Sequence, residues 1–165
     1  MGAMAQGMWT DSVTPIAPPT AANPGLRTVA YAALVTGVWS GLLSVVVYGV
    51  ARLLRVPMTV ETLGGMQSIP WFAVLLLPVI AAQIGGLASL LLIGRRAAGR
   101  IVFWAGTIVA VLSLVPLVLQ PTDVLISTRI WLGVMHVITW VLVVPQIARI
   151  VGDSEPGKHE DREVG

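Results

Sequence analysis

Two side chains that form hydrogen bonds, Gln83 and His136, lie within long apolar stretches of the chain. An imidazole in such a place can bond a neighbouring helix, respond to protons near neutral pH, or bind a haem iron. The haem alternative needs a dimer, because the other histidine, His159, lies in a charged C-terminal segment. A buried amide can join two helices or line a polar path. For both residues a hydrogen bond between helices is the simplest interpretation.

The depth of these residues predicts a polar layer. His136 lies six residues inside its apolar stretch, at a depth of about 9 Å. Ser44 and Ser113 lie at a similar depth in two other stretches, and Pro78 frees a backbone carbonyl nearby. We therefore predict a buried layer of His136, Ser44 and Ser113, with Gln83 deeper. The stretches contain no carboxylate, so we expect a neutral imidazole.

The sequence contains no motif of a known catalytic, cofactor or metal site. HExxH, GxSxG, P-loop and Rossmann patterns are missing. Cysteine is absent, and Asp123 is the one aspartate between the terminal segments. Paired aspartates for intramembrane proteolysis are therefore excluded. We predict that the protein is not an enzyme and has no catalytic residues, cofactor or metal.

Composition indicates the elements that position these residues. Hydrophobic residues make up 56% of the chain and charged residues 11%, against about 25% charged in soluble domains. Four stretches without charge are long enough to span a bilayer, and backbone hydrogen bonding there requires helices. They are residues 29–51, 70–93, 101–119 and 130–148. We predict an all-α bundle of four transmembrane helices in the lipid bilayer, and the net charge of +2 gives no reason to expect a nucleic-acid partner.

The remaining segments differ from the helices in composition. Residues 1–28 are rich in proline, alanine and threonine, and residues 151–165 are charged, so both are predicted to be disordered tails. The loop "RLLRVPMTVETLGGMQSIP" between the first two helices alternates and contains a turn signal. It is predicted to form a short β-hairpin on the outer surface.

The arginines predict the orientation. Both tails and the middle loop share one side of the membrane, which holds Arg27, Arg95, Arg96, Arg100 and Arg149. The opposite side holds Arg52, Arg55 and Arg129. The excess of positive charge places both termini in the cytoplasm of a multi-pass protein in the cell membrane.

Small residues at helical spacing predict close helix packing. Gly37 and Gly41 lie four residues apart in the first helix, and Gly85 and Ser89 do so in the second. Such stripes let helix backbones approach each other. We expect these two stripes to meet within one bundle, and a seam between copies in a homo-oligomer is the alternative.

The chain resembles a family of small four-helix membrane proteins of actinobacteria that is catalogued as a domain of unknown function. The resemblance covers residues 29–150. It rests on "RLLRVPMTVE" after the first helix, "GRRAAGR" between the second and third, and Met135, His136, Leu142 and Pro145 in the last. It implies a location in an actinobacterial cytoplasmic membrane and no particular activity.

The expected function follows from these interpretations together. A non-enzymatic envelope protein that scaffolds or modulates a membrane protein partner fits best. A small transporter or channel subunit that uses Gln83 and His136 is the alternative.

Overall fold

The computed structural model describes residues 25–154, which form four long helices and one hairpin. The helices are α1, Leu26–Leu53, α2, Trp71–Ser89, α3, Ala98–Val118, and α4, Ile126–Gly152. A 3₁₀ turn, Leu90–Leu92, extends α2. Strands β1, Thr59–Thr62, and β2, Gly65–Ser68, lie between α1 and α2. All four helices are long and apolar enough to cross a membrane, so the predicted fold class and the hairpin are confirmed.

Three helices extend beyond their predicted spans. Helix α1 begins at Leu26, α3 begins at Ala98, and α4 runs from Ile126 to Gly152. The predicted first span begins after Arg27, and the predicted fourth span ends before Arg149. Both arginine side chains are exposed, so the helices continue past them. The remainder of both predicted tails lies outside the described residues.

The hairpin is a two-stranded antiparallel sheet with Thr59 opposite Ser68. Its turn is tight, and Gly65 there has a φ of +93°, a conformation that favours glycine. The Tyr48 hydroxyl donates to the Ile69 carbonyl over 2.9 Å, which fixes the end of the hairpin to α1.

The helices pack in the spatial order α2, α1, α4, α3. Helix α1 lies between α2 and α4, and α4 also packs against α3. Helices α2 and α3 are joined by a short basic turn, yet they barely touch each other. The bundle is consequently open along one side, between α2 and α3.

Glycines allow the closest of these contacts, between α1 and α2. A Cβ at Gly37 would lie 2.9 Å from the Val79 Cα, and one at Gly41 would meet the Leu75 carbonyl. From α2, a Cβ at Gly86 would lie 2.8 Å from the Ala33 Cβ. These three positions therefore have no room for a side chain.

The prediction that Gly85 lies at this contact is wrong. A Cβ there would meet nothing within 4 Å, and Gly86 occupies the position against α1. Consecutive helical residues differ by about 100° in direction, so a shift of one residue turns Gly85 away from α1. Ser89 is buried, and its hydroxyl donates to the Gly86 carbonyl of its own helix.

Candidate lipophile-binding cleft

A cleft of about 650 Å³ occupies the open side of the bundle. Helices α2 and α3 form its walls, α4 forms most of its floor, and α1 contributes Ser44. The walls carry small side chains that leave the space unfilled. They include Ala81, Gly85 and Ala88 on α2 and Ala105, Val109 and Ala110 on α3. None of the lining residues within the described part of the chain is charged.

The hairpin covers one end of this cleft. Val60 and Ile69 belong to the lining. The side chain of Gln120, in the loop after α3, accepts a hydrogen bond from the Glu61 amide over 2.8 Å and donates to the Glu61 carbonyl over 3.4 Å. These two bonds tie the hairpin, which follows α1, to the end of α3. The hairpin therefore connects the two walls at this end.

His136 lines the cleft, and one of its ring nitrogens is already bonded. Nδ1 lies 2.9 Å from the Leu132 carbonyl of the preceding helical turn. A carbonyl only accepts, so Nδ1 carries the proton and, in the neutral ring, Nε2 is an acceptor. Nε2 has no hydrogen-bond partner within residues 25–154, and the side chain that carries it lines the cleft. The predicted bond from His136 to Ser44, Ser113 or the carbonyl freed by Pro78 is not formed.

Ser44 is the second polar residue of interest in the cleft. Its exposed fraction is 1%, and its hydroxyl has no hydrogen-bond partner among the described residues. It lies nine residues before the end of α1, whereas His136 lies ten residues after the start of α4. Both ends are on the hairpin side, so the two residues lie about 14 and 15 Å from it along their helices. The two residues thus lie at a similar depth by their positions along the helices.

Ser113 and Gln83 do not belong to a buried layer with this pair. Ser113 lies five residues before the end of α3, is exposed, and donates to the Ala110 carbonyl over 2.7 Å. Gln83 lies outside the cleft lining, and its Nε2 donates to the Ala30 carbonyl of α1 over 3.0 Å. Ser113 is therefore removed from the predicted layer, and the deeper Gln83 forms a bond between helices.

Two further polar contacts hold the helices around the cleft. The Ser40 hydroxyl donates to the Thr139 hydroxyl over 2.8 Å, which links α1 to α4. The indole nitrogen of Trp140 donates to the Thr107 hydroxyl over 3.0 Å, which links α4 to α3. The sequence shows these residues as polar groups among apolar ones, but it does not show which of them face each other.

Arg129 has a structural role that the sequence did not indicate. Its guanidinium donates to the carbonyls of Val118, Pro121 and Val124. Val118 is the last residue of α3, where a cation interacts favourably with the helix dipole. The arginine therefore organises the loop from α3 to α4 and leaves the cleft uncharged.

The described residues contain no group of three or more His, Cys, Asp or Glu side chains that could hold a metal ion. What the cleft offers instead is an apolar surface that includes the imidazole of His136, which has one nitrogen without a partner, while the Ser44 hydroxyl without a partner is covered by protein atoms. Such a surface suits a largely apolar molecule with a polar group.

Comparison with known proteins places the chain in a family. Residues 24–153 match the Family of unknown function (DUF6069). No curated protein and no solved structure matches the chain. Since the match covers most of the sequence, the chain belongs to this family.

Proposed function

We propose that this family member is a non-enzymatic membrane protein that holds a lipophilic molecule in the cleft between α2 and α3 and thereby modulates a partner in the envelope. The observation that carries the proposal is the open side of the bundle, with its uncharged lining and volume of about 650 Å³. Small-molecule sites usually have volumes of about 300–1,000 Å³ and few polar groups.

We propose that a partner protein or second copy packs against the lipid-facing surfaces of the bundle and leaves the cleft to the small molecule.

We further propose a location in the cell membrane with both termini in the cytoplasm. The distribution of arginines supports the orientation. The family resemblance supports an actinobacterial membrane.

A transporter that uses Gln83 and His136 together has less support. The Gln83 amide is bonded to α1 at a contact between two helices, and only His136 borders the cleft. A shared polar path would require the α1–α2 contact to open.

The test is to purify the protein from its native membrane into nanodiscs and to identify extracted small molecules by mass spectrometry. Gly85→Leu introduces a large side chain at a position that lines the cleft and where an added Cβ would meet nothing within 4 Å. Gly133→Leu is the matched control, since that position is equally uncrowded and does not line the cleft.

The expected result is a lipophile that is enriched over bulk lipid with the wild type and with Gly133→Leu, and depleted with Gly85→Leu. Equal enrichment in all three proteins would place binding elsewhere and refute the proposal.

A further inference from the structure

We infer that the molecule held in the cleft is a neutral lipid with a hydroxyl group, and that this hydroxyl donates its proton to Nε2 of His136. The inference rests on the proposed function and specifies the ligand class. Its starting point is the hydrogen bond from His136 to its own helix.

That bond determines which proton the imidazole can offer. Nδ1 lies 2.9 Å from the Leu132 carbonyl and must donate to it. A neutral imidazole has one N–H, so Nε2 has only a lone pair for a ligand. A ligand that carries only carbonyl or ether oxygens has no proton for this atom. A hydroxyl group does.

The surroundings offer no partner for a charged ring. The cleft lining has no carboxylate among the described residues, so a charged ring would have no counter-ion. Arg129, the charged residue nearest to His136 along α4, bonds three loop carbonyls. The lining likewise contains no cation that would stabilise a phosphate or carboxylate headgroup. A neutral headgroup is therefore favoured over an anionic one.

Ser44 supplies an independent observation. Its hydroxyl is buried and has no hydrogen-bond partner among the described residues. A buried polar group without a partner is unfavourable, and this one lines the same cleft at a depth similar to that of His136. The Ser44 oxygen is itself covered by protein atoms, so a ligand bonds it only if the side chain rotates toward the cleft. The two groups without partners thus lie at the same level of an otherwise apolar site.

Two probes distinguish the effect of a ligand hydroxyl from the effect of its alkyl chain. Hexadecan-1-ol and 1-methoxyhexadecane have the same alkyl chain, but the ether lacks the proton. The protein is labelled with ring-¹⁵N histidine and carries His159→Gln, so that His136 gives the single imidazole signal. Spectra are recorded at pH 8 in phosphatidylcholine nanodiscs, with each probe at the same mole fraction.

We expect a protonated Nδ1 and a bare Nε2 without probe. The alcohol should shift the Nε2 resonance in a saturable way, and the ether should leave it unchanged. From the titrations, the alcohol should bind about two- to tenfold more tightly than the ether. The His136→Leu variant has no imidazole signal at this position, so its binding of both probes is measured by displacement of a spin-labelled lipid. In this variant the ratio of alcohol binding to ether binding should fall to about one.

The outcomes distinguish the inference from the proposed function. A protonated Nε2 without probe, or equal binding of alcohol and ether, refutes hydroxyl recognition while the cleft still binds lipophiles. A shift that persists in Gly85→Leu also refutes it, because the response would arise outside the cleft. If neither probe binds and no native lipophile is enriched, the proposed function fails as well.

Discussion

The imidazole of His136 faces two different environments, the backbone of its own helix and the cleft. Its Nδ1 bond reaches only the preceding turn of α4, so the residue does not hold two helices together. Its half-buried side chain lies in an uncharged lining. Its contribution to folding should therefore be small, although a charge at this place should be harmful.

Substitution of His136 tests this view. His136→Leu should change the free energy of unfolding by less than about 1 kcal/mol, since hydrogen bonds within membrane bundles average about 0.6 kcal/mol. His136→Arg should lower stability markedly, because an obligatory cation would lie in the cleft without a carboxylate. Thermal unfolding in detergent measures both changes. A leucine variant that unfolds as readily as the arginine variant would show that the hydrogen bond of the imidazole is important for folding.

Two serines of α1 offer a matched comparison. The Ser40 hydroxyl bonds Thr139, whereas the Ser44 hydroxyl has no partner among the described residues, and both side chains are buried. Ser40→Ala should destabilise the protein by about 0.6–1.7 kcal/mol. Ser44→Ala should be neutral or slightly stabilising, because it removes an unsatisfied polar group. Unfolding titrations of both variants provide the measurement, and the reverse order would contradict the assigned bonds.

At single residues, the sequence predicts depth better than it predicts partners. Counting along helices correctly brings Ser44 and His136 to a similar level. It does not reveal that His136 bonds its own backbone, because any helical histidine can reach the carbonyl four residues earlier. Ser113 is misplaced because α1 and α4 extend two and four residues beyond their predicted spans at the hairpin side, whereas α3 ends one residue short, and because its exposure depends on where α3 packs. Gln83 was predicted to bond a neighbouring helix, but its acceptor on α1 is a backbone atom that no sequence pattern marks.

At the scale of elements, the contact of α1 with α2 should be the most sensitive to added volume. A Cβ at Gly41 would meet the Leu75 carbonyl, whereas one at Gly49, on the same helix, would meet nothing within 4 Å. Gly41→Ala should cost about 1–3 kcal/mol of stability through overpacking. Gly49→Ala should be neutral or stabilising, since alanine favours helix. Equal unfolding temperatures for both would argue against a close α1–α2 crossing.

The helices themselves follow from the sequence, but their rotation does not. Long uncharged stretches fix the number and approximate bounds of the spans. Helix α2 has only Gln83 and Ser89 as polar side chains, so its sequence lacks the continuous polar face that would indicate its direction. Two adjacent glycines, Gly85 and Gly86, are then equally good candidates for the contact. Only the three-dimensional structure shows that Gly86, and not Gly85, packs against Ala33 of α1.

At the scale of the whole molecule, the orientation can be tested with single cysteines, because the chain has none. Leu63 lies fully exposed in the turn of the hairpin, and Ala97 lies exposed in the turn between α2 and α3. In intact cells an impermeant thiol reagent should label Leu63→Cys and spare Ala97→Cys until lysis. Ser154 is unsuitable as a reporter because it is buried against the end of α4. Labelling of Ala97→Cys before lysis would reverse the assigned topology.

The order of the helices around the bundle has a consequence for how a ligand arrives. The hairpin and its two bonds from Gln120 cover one end of the cleft, while the gap between α2 and α3 opens sideways. In a bilayer that gap faces acyl chains, so exchange occurs within a two-dimensional fluid. Occupancy then depends on the mole fraction of the ligand in the membrane, and diluting the sample with buffer leaves it unchanged. A sparingly soluble molecule could thus saturate the protein at a negligible aqueous concentration.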